Sequence, residues 1–240
     1  MINYAHRGAS EYAPENTLFA FYMGLLHGAN GIETDVQKTK DGELVLFHDN
    51  VLDDKTNGSG RICDHTLEQL RKLQVYGKCT TGFYDRIVTL HEFLEKFSGY
   101  NIRFAIELKG ADVEKETLAM VKDYGVMEKT TFTSFRFEYI QKIKELDEQA
   151  RVGWLTSETD DKAICQLLEI GGEEFAPKAE LVTPEFIEKC REAGLGIRAW
   201  GVTNVLLMKK MCQLGVDGMT VDFPDRLYQY LNTPRSINKL

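Results

Sequence analysis

The chain predicts a (β/α)8 TIM barrel, and three observations carry that expectation. Strand-like runs beginning near residues 2, 31, 102, 130, 151, 175, 196 and 217 alternate with segments of helical periodicity, the pattern of a parallel sheet whose crossovers are helices. There are eight such runs, and 240 residues lie close to the ~250 usual for the barrel. No glycine-rich dinucleotide fingerprint follows a strand, so an open doubly wound sheet is disfavoured. Residues 1–240 read as one domain, with residues 49–88 as a small insertion after the second strand region, lying over the barrel mouth.

Composition narrows the class further. With 43% hydrophobic and 28% charged residues the chain reads as an ordinary soluble enzyme, and a net charge of −8 argues against a nucleic-acid partner. An anionic small molecule can still bind where the site is locally cationic. No apolar run approaches the ~18 residues of a membrane span, and the N-terminus lacks a leader pattern, so no stable membrane association is expected. The five cysteines, Cys63, Cys79, Cys165, Cys190 and Cys212, are odd in number and contain no Cys-x-x-Cys pair. They read as reduced thiols of a cytoplasmic protein. A homo-oligomer is compatible with this composition.

The first run, 2–6, ends in His6-Arg7-Gly8, polar residues followed by a glycine that permits a sharp turn, and barrels place catalytic groups at strand ends. Pro14 and Glu15 are expected to open the first helix, with Leu18, Tyr22, Leu25 and Leu26 on one face and Gly28 as its stop. His27 then sits in the last turn, as a favourable charge at a helix C-terminus. The second run, Gly31-Ile32-Glu33-Thr34-Asp35-Val36, carries two carboxylates on one face, roughly 7 Å apart. Lys40-Asp41-Gly42 reads as a hairpin turn, and Leu44-Val45-Leu46-Phe47 returns too soon for a parallel crossover. That antiparallel return brings His48 level with Glu33 and Asp35.

Residues 49–88 are poor in apolar runs and contain Thr56-Asn57-Gly58-Ser59-Gly60 and a short helix with Thr66 and Gln69 as a capping box. His65, just before it, is expected to be exposed. Thr89 and Glu92 form a second capping box for a helix reaching about Phe97, which leaves His91 on the surface. Further helices are expected at 112–124, 135–148, 160–170, 184–193 and 204–214, with a last one after Pro224. Thr183-Pro184 supplies an N-cap with proline at the first helical position, and Gly194 a stop.

In Arg103-Phe104-Ala105-Ile106-Glu107-Leu108-Lys109, Glu107 and Lys109 repeat the i, i+2 arrangement at a strand end, facing the same mouth as Glu33 and Asp35. Three carboxylates can hold a hard divalent cation, Mg²⁺ or Ca²⁺. Arg7 and Lys109 can hold phosphate oxygens, Arg7 as a bidentate fork and Lys109 as a point charge. His6 and His48, whose ordinary pKa lies near neutrality, can act as acid and base. The set points to metal-assisted phosphoryl chemistry.

His6-Arg7-Gly8, Ala13-Pro14-Glu15-Asn16-Thr17, Glu33-Thr34-Asp35-Val36, Thr39-Lys40-Asp41-Gly42, His48-Asp49, Thr56-Asn57-Gly58-Ser59-Gly60, Ile106-Glu107-Leu108-Lys109 and Gly215-Val216-Asp217-Gly218, in that order, resemble a glycerophosphodiester phosphodiesterase. The resemblance runs from residue 6 to about 226. It implies a TIM barrel, a metal on Glu33, Asp35 and Glu107, His6 and His48 as the acid/base pair, and Arg7 and Lys109 on the phosphate. It also places Trp200 in a glycerol pocket, where packing is the plainer role for a strand tryptophan. The implied reaction is hydrolysis of a glycerophosphodiester to sn-glycerol 3-phosphate and an alcohol. In the implied mechanism the neighbouring glycerol hydroxyl attacks phosphorus and a cyclic phosphate forms. Two departures are visible: Leu52-Asp53-Asp54-Lys55 stands where the family commonly has an arginine, and Val221 where it has a threonine. A phospholipase acting on lysolipids or inositol lipids would want an apolar rim, which Tyr76, Phe83 and Tyr84 among charges do not form. A non-catalytic phosphodiester-binding barrel would lack a histidine or a ligand, and none is missing.

Overall fold

The computed structural model describes residues 1–78 and 83–233, so the expectation for Cys79 lies outside the described residues. Eight parallel strands close into a barrel: β1 (Ile2–His6), β2 (Gly31–Lys38), β3 (Arg103–Leu108), β4 (Thr130–Ser134), β5 (Val152–Thr156), β6 (Glu174–Pro177), β7 (Gly196–Ala199) and β8 (Gly218–Val221). Each pairs with the next, and β1 closes the ring by pairing with both β2 and β8. Helices follow in turn: α1 (Leu18–Leu26), α2 (Leu90–Phe97), α3 (Glu114–Asp123), α4 (Phe137–Leu146), α5 (Asp161–Glu169), α6 (Pro184–Glu192), α7 (Val205–Leu214) and α8 (Pro224–Asn232). The proline-containing run at 174–177 is a barrel strand, paired on both sides.

Local chemistry accounts for most helix starts. Thr89 and Thr183 each accept a backbone N–H at the first turn, Asp160 and Asn204 do the same for α5 and α7, and the Thr66 and Thr89 capping boxes form as the sequence implies. The first helix starts later than the sequence implies, because Pro14 and Glu15 do not open it. Asn16 takes a left-handed backbone (φ 57°), which a helix cannot contain, and Thr17 becomes the N-cap instead. The reason is tertiary: the Asn16 side chain is drawn to Thr34 and Asp35 on β2.

The main core lies between barrel and helices, with Phe21, Phe93, Phe97 and Phe104 meeting edge-on or tilted where α1 and α2 meet β3. The hairpin return is the strand Leu44–Leu46, antiparallel to β2 with Val36 opposite Leu46, and Val88–Thr89 pairs antiparallel with it in turn. Val45, Phe47, Leu52, Ile62, Leu70, Val75 and Ile87 form a second small core beneath the intervening segment. His65 is not the exposed side chain the sequence suggested. It is half-buried with Nδ1 on the Arg61 carbonyl (2.9 Å), an accommodation invisible without the fold of that segment. His27 caps the C-terminus of α1 against the Tyr12 ring, and the exposed His91 meets the Tyr124 hydroxyl. Among the described residues no helix is long and apolar enough to cross a membrane.

Helix α1 packs closely against the turn that follows β1, and Gly8 allows that contact. A Cβ there would sit 2.4 Å from the Ala20 carbonyl carbon, and the backbone is left-handed (φ 84°). Gly42 has a similar φ (92°) with no atom within 4 Å of its would-be Cβ. Gly42→Ala should therefore cost only the conformational penalty, about 1–2 kcal/mol. Gly8→Ala should cost a further 1–3 kcal/mol or so, from overpacking. Urea unfolding of both variants measures the difference; equal losses would mean that α1 can move off the turn after β1 freely.

Candidate active site

Strand register assembles the acidic centre. In the parallel pairing of β1 with β2, His6 lies opposite Glu33, and in that of β2 with β3, Asp35 lies opposite Glu107. Glu33 and Asp35, two apart, share a face, so all three carboxylates converge inside the barrel. One oxygen from each lies within 4.8 Å of the others, and all three side chains are buried. His48 arrives from the hairpin: the Phe47 N–H donates to the Asp35 carbonyl (3.0 Å), and buried Gln37 donates through Nε2 to the carbonyls of Phe47 (2.8 Å) and Asp49 (2.7 Å).

A cavity of about 240 Å³ opens over this centre. Its lining divides by strand. His6, Arg7, Glu33, His48 and Glu107 come from the β1–β3 side, while Phe135, Leu155, Trp200 and Val202 come from the loops and strands of β4, β5 and β7. Trp200 stands edge-on to Phe135 (4.9 Å between centroids) and donates through Nε1 to the Thr156 carbonyl (3.3 Å). Lys109 is not on the cavity wall but beside the carboxylates, its Nζ 2.9 Å from Glu107 Oε1 and 3.5 Å from Asp35 Oδ1. Arg7 is likewise engaged, with Nη1 3.0 Å from Glu15 Oε1 and Nε 3.2 Å from Asp35 Oδ2. Its fork, expected to be free for phosphate, spends two of its nitrogens on carboxylates.

The electrostatics of the three carboxylates diverge. Burial and the Asp35 charge push Glu107 up to about 7, and the same two causes carry Glu33 well above the ordinary carboxylate range. Burial opposes ionisation of Asp35 as well, yet Arg7, Lys109 and His48, helped by the Asn16 hydrogen bond, hold it below that range. Asp35 Oδ1 is buried and accepts no hydrogen bond among the described residues. An all-oxygen donor set with an unsatisfied buried oxygen and two carboxylates short of positive partners suits a hard divalent cation. Partial burial and the Arg7 charge hold His6 below its ordinary value, although Asp222 pulls the other way.

Several residues of the site carried no role in the sequence reading. Asn16 donates through Nδ2 to Asp35 Oδ2 (2.8 Å) and accepts from the Thr34 hydroxyl (2.7 Å). Asp49 holds His48 Nδ1 at 2.6 Å, and Asp222 holds His6 Nδ1 at 2.5 Å. Arg198 is fully buried, donating through Nε to Glu174 (2.7 Å) and through Nη1 to Thr220 (2.9 Å) on the cavity floor. An arginine between Ile197 and Ala199 in a buried strand was a readable signal of an internal ion pair. Asp222 had none, lying 216 positions from its partner. At the two departures, Val221 belongs to the core while its neighbour Thr220 lines the cavity, and Lys55 Nζ lies 3.3 Å from Glu15 Oε2.

Fold and site together define a TIM-barrel protein whose mouth joins a buried acidic cluster, able to hold a cation, to two carboxylate-anchored histidines. Comparison with known proteins agrees. The model of the glycerophosphoryl diester phosphodiesterase family matches residues 6–226. A glycerophosphodiester phosphodiesterase of Caldanaerobacter subterraneus is 33% identical over 231 residues, covering 93% of this chain and 94% of that one. The glycerophosphodiester phosphodiesterase of Agrobacterium tumefaciens superposes with a TM-score of 0.83 at 27% identity, covering 94% and 97% of the two chains. An Oleispira antarctica phosphodiesterase, solved in complex with the product sn-glycerol-3-phosphate, does so with a TM-score of 0.86 at 26% identity, covering 96% of each. The chain belongs to the glycerophosphoryl diester phosphodiesterase family.

Asn16 is the support whose loss should reveal how Asp35 is held. Asn16→Ala should lower kcat/KM by roughly 10–100-fold, the usual cost of losing a residue that orients a ligand. Asn16→Asp should cost more, because it sets a fourth carboxylate against Asp35. Steady-state kinetics of the two variants decide; wild-type values in Asn16→Ala would mean that Arg7 and Lys109 hold Asp35 alone.

Proposed function

We propose that this protein hydrolyses glycerophosphodiesters to sn-glycerol 3-phosphate and an alcohol. The observation that carries the reading is one cavity in which His6, His48 and Arg7 face the acidic cluster of Glu33, Asp35 and Glu107. The Oleispira relative, bound to sn-glycerol-3-phosphate, supports the same substrate class. Glu33, Asp35 and Glu107 would hold Mg²⁺ or Ca²⁺. Such an ion supplies Lewis-acid polarisation of a phosphoryl oxygen. Arg7 would meet the phosphate with the N–H groups its carboxylates leave open, and Lys109 with the N–H left by Glu107 and Asp35. Trp200 and the apolar wall would receive the glycerol carbons.

In the reaction we infer, the free glycerol hydroxyl beside the phosphate attacks phosphorus while one histidine takes its proton. The bond to the leaving alcohol breaks, and the second histidine protonates that oxygen. Water then opens the five-membered cyclic phosphate with the histidine roles exchanged. Attack from within the substrate is favoured because effective concentrations reach ~10⁵ M or more. We propose further that residues 49–88 form an insertion over the mouth, supported by Lys55 on Glu15, Lys78 on Asp222 and the Phe83 ring against Phe19 (4.7 Å). The thiols of Cys63, Cys165 and Cys190, free among the described residues, support a cytoplasmic setting.

With glycerophosphocholine as substrate, chelation should abolish release of glycerol 3-phosphate, and added Mg²⁺ or Ca²⁺ should restore it. Glu33→Ala, Asp35→Ala and Glu107→Ala should each be inactive under all conditions. Full turnover in excess chelator contradicts the cation assignment. The route through a cyclic phosphate is tested separately with a substrate lacking the neighbouring hydroxyl, which should bind as a competitive inhibitor yet not react. Cleavage of this deoxy analogue near the parent rate would replace the internal nucleophile with water.

A further inference from the structure

We infer that Asp222 is the positioning residue of His6, fixing the ring so that Nε2 faces the reacting groups, and that Lys78 of the insertion holds the Asp222 carboxylate in place for that task. The inference rests on the acid/base role proposed for His6. Asp222 follows β8 and brings Oδ1 to 2.5 Å from His6 Nδ1, while His6 Nε2 lies on the opposite side of the ring, 3.9 Å from Glu33 Oε2. An ionised carboxylate can only accept, so Nδ1 carries the proton and the Nε2 lone pair is aimed into the cavity. A His6 without this partner is free to flip or to change tautomer.

The carboxylate is itself constrained at both oxygens. Oδ2 takes the Lys78 ammonium at 2.5 Å, so rotation of Asp222 away from His6 breaks two charged contacts at once. Burial opposes ionisation of Asp222, but His6 and Lys78 hold it below the ordinary carboxylate range, and it stays an acceptor. Its backbone is fastened too: the Asp222 carbonyl accepts the Glu11 N–H (3.2 Å), and three residues on, Asp225 accepts the Tyr12 hydroxyl (2.8 Å). His48 needs only its sequence neighbour Asp49. His6 depends on three separate parts of the chain: the end of β1, the loop after β8 that closes the barrel, and the insertion.

The test combines kinetics with ¹⁵N NMR of labelled histidine, His6 being identified among the five histidines by the signal lost in His6→Gln. In the wild type, Nδ1 of His6 should carry the proton and Nε2 should not. Asp222→Asn should abolish that preference and lower kcat by about 10²–10⁴, the contribution of a positioned acid/base, with KM within a few-fold and the thermal midpoint little changed. Lys78→Gln should act in the same direction but weakly, about threefold to fivefold, as a half-exposed ion pair allows. An Nε2-protonated His6 in the wild type, or full kcat in Asp222→Asn alongside an inactive His6→Ala, overturns the positioning role alone. Full kcat in His6→Ala overturns the underlying reading and the inference with it.

Discussion

Three carboxylates held within 4.8 Å in the interior of a barrel are opposed by burial and by their mutual repulsion, and much of the surrounding structure answers that constraint. Asp35 stands at the centre of the compensation. Arg7 approaches one of its oxygens and Lys109 the other, at 3.2 and 3.5 Å, from opposite neighbouring strands. Two cations serve three acids, and the deficit falls on Glu33 and Glu107, whose protonation is favoured as a result. Such an all-oxygen cluster could accommodate a further positive charge.

The backbone around Arg7 is shaped to the same end. Arg7 and Asn16 both occupy the left-handed region, at φ 55° and 57°, where a non-glycine residue costs on the order of 1–2 kcal/mol. The loop between them closes through the Asn16 N–H on the Arg7 carbonyl, and both side chains end on Asp35. Strain in the main chain is thus offset by the buried contacts of both side chains with Asp35. Gly8, against Ala20, lets this loop lie flat on α1.

Residues 49–78 pack on a small apolar centre of their own, and two of their lysines, Lys55 and Lys78, reach acids beside the site. Lys55 completes the neutralisation of Glu15, which is itself the outer partner of Arg7, and Lys78 does the same for Asp222 behind His6. Two chains of alternating charge therefore run from this segment to the cavity.

By itself the sequence determined the alternation of eight strands and helices, because hydrophobic periodicity and capping residues such as Thr89 and Thr183 are local signals. It also marked the candidates for the site, His6, Glu33, Asp35, His48 and Glu107, and the period of two places Glu33 beside Asp35 on one face. Only the tertiary structure decided the partners. The start of α1 moved to Thr17 because Asn16 answers to β2, and His65 found the Arg61 carbonyl through a fold with no local signature. Lys109 lies beside the carboxylates because two acids outcompete a cavity wall, and Asp222 reaches His6 only when β8 closes on β1. Periodicity is written between neighbours in the chain. Charge compensation is settled between strands, whose register no single strand contains.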